Sequence, residues 1–269
     1  MARVLLFWGV ALYMIAIATV AASAWIPGYE SALSTMSREN GFFESMSVVL
    51  LLIMGVVALY WVVKKGSNAK TGMMFLVASL GLLAIIAAFE EISWGQQLLG
   101  FESGEYFKVH NKQQETNLHN FISPELFSSI IYSSVYTVFV FIPLLSRLLA
   151  MKIALFQYLT PWVASLHVTL VVLFASLFQI YFYDDFGAWF DFGTLIAGLL
   201  LFVIAVSVLK EWNRVVLLHY LVVVMTLGVF MLAHKVFGFY NMQYEIREMF
   251  VVFAALLYLR EQLPHLERD

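Results

Sequence analysis

Apolar residues gather along this chain in eight stretches, 4–24, 46–63, 72–89, 126–146, 161–183, 188–209, 215–235 and 244–260. Each approaches the ~20 residues that carry a helix across roughly 30 Å of hydrocarbon. Within each, Leu, Val, Ile and Phe run around the whole helical circumference, whereas the strands of an outer-membrane barrel would alternate apolar and polar residues over short segments. No low-complexity segment and no long linker divides them. The pattern predicts an all-α membrane bundle of about eight transmembrane helices, a single domain over 1–269, interrupted by one longer polar segment over about 90–123.

Basic residues orient the bundle. With the N-terminus cytoplasmic, Arg3, Lys64, Lys65, Lys70, Arg147, Lys152, Lys210, Arg214, Arg260 and Arg268 lie inside, and Arg38, Lys108, Lys112, Lys235 and Arg247 lie outside. Ten against five, on short inner loops, is the positive-inside pattern and puts both termini in the cytoplasm. Acids run the other way: 14 of the 18 fall outside, which leaves that face near −9. Ala22-Ser23-Ala24 has the small-residue form of a signal-peptide cleavage site, but the run from Val4 to Ala21 exceeds the usual apolar core of such a peptide, so an uncleaved first helix is expected.

Composition agrees: 62% of the 269 residues are hydrophobic and 12% charged, with a mean hydropathy of +0.86. So few charges cannot cover the surface of a water-soluble fold. The absence of cysteine excludes disulfides, thiolate metal sites and cysteine nucleophiles.

Candidate chemistry concentrates on the outer side. Residues 90–123 exceed the roughly 15 beyond which loops in compact proteins tend to be functional or disordered. Their content of Trp94, Leu98, Leu99, Phe101 and Tyr106 points to a folded interfacial or re-entrant element. Glu90 and Glu91 end the third span, where the helix dipole disfavours carboxylates. If the helix continues, Glu90, Ser93, Trp94 and Gln97 share one polar face directed into the bundle. Glu115 and His119, four apart, would project together from a short helix, at a spacing suited to a shared metal or to proton transfer.

Ser129, Tyr132, Ser133, Tyr136 and Thr137 form a hydroxyl stripe on the fourth span, with Ser176, Gln179 and Tyr183 a shorter one on the fifth. Lipid cannot hydrogen-bond them, so they are expected to face other helices or a cavity. Asp184 and Asp185 end a helix as Glu90 and Glu91 do, and His234 lies at the outer end of the seventh span. Glu44, Glu245, Arg247 and Glu248 begin helices at their outer ends, where the dipole offers a structural explanation for the acids. His167 and His219, nearer the cytoplasm, read as hydrogen-bonded core histidines.

Through Glu90-Glu91-Ile92-Ser93-Trp94-Gly95-Gln96 and Glu115-Thr116-Asn117-Leu118-His119-Asn120, the chain resembles a group of bacterial polytopic membrane proteins of unassigned function. The paired glutamates also resemble the first motif, Glu-Glu-x-x-x-Arg, of the CAAX-processing and bacteriocin-protection intramembrane proteases, and Phe230 with His234 matches the spacing of their second. Gly95 stands where that motif has arginine and the third motif, His-x-x-x-Asn, is absent, so the family's catalytic roles are not carried over.

Two functions are expected to compete. One is a membrane-embedded hydrolase or transferase acting on a lipid-linked or membrane-anchored substrate. Its catalytic groups would be Glu90, Glu91 and His119, its cavity would be lined by Ser93, Gln97, Tyr132, Tyr136 and Gln179, and a divalent metal could sit on Glu115, His119, His234 and Asp184. The other is a non-catalytic subunit of the same membrane that handles cations or docks a membrane-protein partner. The lipid bilayer is a partner in both, the bacterial cytoplasmic (inner) membrane is the expected location, and no nucleotide fingerprint or basic patch for nucleic acid is present.

Overall fold

A computed structural model describes residues 41–65, 71–112, 114–122, 124–179, 186–233 and 242–266. Every element among them is helical. In chain order these are α1 (Phe42–Lys65), α2 (Thr71–Glu91), α3 (Gln96–Leu99), α4 (Glu105–His110), α5 (Pro124–Tyr136), α6 (Ile142–Ala150), α7 (Ala154–Leu159), α8 (Leu166–Ala175), α9 (Phe186–Val208), α10 (Arg214–Ala233) and α11 (Met242–Gln262).

Four helical stretches are long and apolar enough to cross a membrane: Phe42–Lys64, Thr71–Glu91, Ser129–Ala150 and Asp191–Val208. A fifth follows if the bent pair Ala154–Trp162 and Leu166–Phe178 makes one span. The chain is therefore built as a multi-pass membrane protein. The expected span 4–24 lies outside the described residues.

The expected fifth span over 161–183 begins at a 70° bend between Ala154–Trp162 and Leu166–Phe178. Three local features explain the break. Pro161 opens a single 3-10 turn over Thr160–Trp162, Arg147 donates to the carbonyl of Ala164 (3.2 Å), and the extended Ser165 caps α8 by accepting from the Val168 N–H. The Ser165 hydroxyl also donates to Glu261 at the end of α11 (2.6 Å), which ties the bend to the bundle. The 20-residue α10 is apolar over Arg214–Gly228, and α11 carries five charged residues around an apolar middle.

The fourth span runs α5–α6 through a π-helical turn at Thr137–Phe141. Pro143 has no N–H to return to the preceding turn. The Phe139 carbonyl is satisfied from outside, by the Thr169 hydroxyl of α8 at 2.8 Å. In lipid an unsatisfied carbonyl would cost several kcal/mol, so this side chain lets a proline sit inside a span.

Helices α1 and α2 pack as an antiparallel hairpin held by small residues. A Cβ on Gly55 would lie 2.9 Å from the Gly81 carbonyl oxygen, and one on Gly81 2.9 Å from the Ala58 Cβ. Gly81→Val is therefore expected to part the helices and destabilise the folded protein by about 1–3 kcal/mol. Unfolding in graded detergent mixtures checks this; an unchanged midpoint would show that the hairpin tolerates the added bulk.

Helix α11 occupies the centre, packed against α1 and α8. Phe250 meets Phe174 edge to face and stacks on Phe178, and all three are buried. Its two ends are polar. One gathers Glu261, Ser165, Arg147 and Glu211, the last two 3.9 Å apart; the other carries Arg247 and Glu248.

Candidate functional site

The α2 helix stops at Glu91, because Ser93, Trp94 and Gly95 all take positive φ (47°, 56° and 81°). Such a left-handed run costs about 1–2 kcal/mol at each non-glycine residue, so other contacts must hold it. They come from the second half of the loop. Ser93 is fully buried and donates to Glu115, while Asn117 Nδ2 donates to both Ser93 Oγ and Glu115 Oε2 at 2.9 Å. Asn111 Nδ2 donates to the Asn117 side-chain and backbone oxygens (2.8 and 2.9 Å). Gln96 Oε1 accepts from the Thr116 N–H (2.7 Å) and from the Ser103 hydroxyl (3.1 Å). On the rim, Lys108 donates to Glu102 at 2.6 Å and holds that exposed carboxyl below the usual carboxylate range.

Glu90 belongs to this knot. One oxygen accepts from Trp94 Nε1 and the other from the Leu118 N–H, both at 2.6 Å. The expected polar face of Glu90, Ser93, Trp94 and Gln97 does not form, because the left-handed turn ends its helix: Ser93 turns inward and Trp94 outward, stacked on Phe89. Nor do Glu115 and His119 share a helix, since Glu115 lies in irregular chain and His119 opens a separate 3-10 turn, His119–Phe121. Asp184 and His234 lie outside the described residues, as do the side chains of Gln97, His119 and Gln179. No group of three or more His, Asp or Glu side chains is placed to hold a metal ion among the described residues.

Glu91 takes the other direction. Successive residues on a helix point about 100° apart, and Glu91 falls within electrostatic reach of Glu44 in the first turn of α1 and Glu248 in the first turns of α11. Glu44 is buried. Tyr132 OH approaches Glu248 Oε1 at 3.4 Å, and the Arg247 guanidinium sits 3.3 Å over the centre of the Tyr132 ring. Arg247 is the bulkiest fully buried side chain described, 1% exposed, and its charge acts directly on Glu248. Glu91 thus lies within electrostatic reach of Glu44 and Glu248, and the Arg247 charge acts on Glu248, where α1, α2, α5 and α11 converge. Like charges in a low-dielectric setting repel strongly.

The hydroxyl stripe divides. Tyr132 and Tyr136 are buried in the bundle, as expected, while Ser129, Ser133 and Thr137 are exposed. The Thr137 hydroxyl bonds back to the Ser133 carbonyl at 2.7 Å, which lets it face outward without an unsatisfied donor. His167 and His219 pack edge to face with ring centres 5.6 Å apart, a pairing that the reading as separate core histidines did not anticipate.

Reading helix-end acids as dipole partners hid Glu44 and Glu248. The available signal was Arg247 beside Glu245 and Glu248 at the start of a membrane-length stretch, a place where a charge needs a partner. A scan of family models and searches of curated proteins and solved structures give no match to the chain.

Proposed function

We propose that this chain is a membrane-embedded hydrolase or transferase whose acid–base centre is the carboxylate cluster of Glu44, Glu91 and Glu248 at the outer end of the bundle. The carrying observation is that Glu91 lies within electrostatic reach of both the buried Glu44 and Glu248, beside the Tyr132 phenol and the buried Arg247. Carboxylates whose environments separate their proton affinities can serve one as base and one as acid. Glu91 activates water or a substrate hydroxyl, Glu248 exchanges the proton through its neighbour Tyr132, and the Arg247 charge acts on Glu248.

The topology fits that reading: eight spans in the bacterial inner membrane with both termini cytoplasmic. The Arg147, Glu211 and Glu261 group, with its basic loops, then forms the inner face, and the knot over 90–123 roofs the cluster on the outer face. A site at that depth meets lipid-linked or membrane-anchored substrates. The two motifs that carry the resemblance to bacterial polytopic proteins supply the two halves of the roof, Glu90 to Gln96 and Glu115 to Asn120. A cation-handling subunit draws on the same surplus of carboxylates, but the Tyr132–Glu248 contact favours proton chemistry.

Lipid and membrane-protein profiling tests the proposal in a strain lacking the gene, complemented with wild type or with Glu91→Gln. A lipid-linked or anchored species should accumulate on deletion, clear with wild type and persist with the variant at equal protein abundance. Full clearance by Glu91→Gln overturns the assignment.

A further inference from the structure

The outer loop is built inside out. Its buried side chains are Ser93, Ser103, Asn111 and Asn117, all polar and all hydrogen-bonded to one another's segments. Beside the exposed Glu102, Glu105, Lys108, His110, Lys112 and Gln114, its outward side chains include large apolar ones: Leu98 and Leu99 on α3 are 77% and 78% exposed, Val109 on α4 is 74%, and Leu118, Tyr106 and Trp94 follow. A loop folding in water does the reverse, burying its apolar groups and solvating its polar ones. An element that turns its hydrogen-bonding groups on itself and its apolar groups outward meets the requirement that lipid imposes.

What covers that surface follows from where the loop is tethered. Leu98 and Leu99 come seven and eight residues after Glu91, the last residue of a membrane-length helix, and Leu118 comes six residues before Pro124, which opens the helix carrying the next span. Both ends of the loop are therefore held at one membrane surface. The outward groups include Trp94 and Tyr106, the residue types that favour the headgroup boundary. Charged groups flank these apolar ones: on α4, Glu105 and Lys108 are three apart, and Lys108 closes on Glu102, while Tyr106 and Val109 occupy the adjoining face. The loop thus carries the apolar and charged sides of an interfacial element, at the depth where one would lie.

We infer that the apolar side of residues 94–118 is inserted into the headgroup–acyl boundary of the outer leaflet, with Leu98, Leu99 and Val109 as its inserted side chains. The inference rests on the outward placement of this loop in the proposed topology. Insertion fixes the roof of the carboxylate cluster at headgroup depth, so that an amphiphile reaches the cluster laterally from the leaflet.

The chain has no cysteine, so single-cysteine variants need no background substitutions. Spin labels at L98C, L99C, V109C, E102C and E105C, in nanodiscs of phosphatidylethanolamine and phosphatidylglycerol, report collision with oxygen, which concentrates in lipid, and with a water-soluble nickel chelate. The oxygen-to-nickel ratio should be several-fold higher at the three apolar positions than at the two acidic ones. A nickel-dominated signal at all five overturns the insertion, and so does shielding of the apolar positions from both reagents, which would mark a protein partner or a second copy on this face. Three apolar positions on two helices keep the comparison valid if one label perturbs its site. Labelling of E102C on intact cells by a membrane-impermeant maleimide separates the two layers of the argument. Labelling from outside with a water signature at Leu98 defeats the insertion alone, and reactivity only from the cytoplasmic side defeats the topology beneath it.

Discussion

Arg247→Met will destabilise the folded protein by about 3–5 kcal/mol, the range for leaving a buried charge uncompensated. Methionine matches the aliphatic stem and fills much of the volume, so the loss reports charge more than packing. Arg247 is buried to 1% exposure, its guanidinium lies 3.3 Å above the Tyr132 ring, and Glu248 follows it in the chain. Without it, Glu248 loses the positive charge that acts on it, while Glu91 still feels both Glu248 and Glu44. Arg247→Lys keeps the charge but loses the flat stacking on Tyr132 and should cost less, about 0.5–2 kcal/mol. Combining Arg247→Met with Glu248→Gln should recover part of the loss, because each change removes the other's penalty. Unfolding midpoints of the four proteins in one detergent series measure this. Equal stability of Arg247→Met and wild type would mean that the guanidinium does not compensate the cluster.

The spans were legible because burial in lipid is a length and composition requirement, and both are written directly in the residues. Phe42–Lys64, Thr71–Glu91 and Asp191–Val208 fall on the apolar runs at 46–63, 72–89 and 188–209. The break before Leu166 was not legible, although Pro161 is visible, because it depends on Arg147 and Glu261 reaching in from other helices. The loop shows the same division. Its two motifs stand out as polar islands, yet a helical extrapolation from Glu90 places Ser93 and Trp94 on one face. The three positive φ angles that send them apart are sustained in part by contacts from Ser93 to Glu115 and Asn117, more than 20 residues away. The carboxylate cluster was hardest to see. Glu44, Glu91 and Glu248 come from helices far apart in sequence, and each has an innocuous or local reading until α1 is packed between α2 and α11.

Adjacent glutamates should therefore behave oppositely. In Glu90→Gln the amide can keep one of the two acceptor roles, toward Trp94 Nε1 or the Leu118 N–H, but loses the charge that strengthens both, at a cost of about 1–3 kcal/mol. The turn at Ser93 and the register of the loop loosen, and protease cleavage within residues 90–123 should rise, while activity falls only as far as folded protein is lost. Glu91→Gln removes one of three like charges from the cluster and breaks none of the knot's hydrogen bonds. Its stability should equal or exceed that of wild type, since relieving repulsion between buried carboxylates stabilises the fold. Its activity should vanish, because glutamine cannot exchange a proton. Proteolysis, unfolding midpoint and complementation, measured side by side on the two variants, resolve the pair. Identical behaviour in all three would place both glutamates in one structural role and leave the cluster without its base.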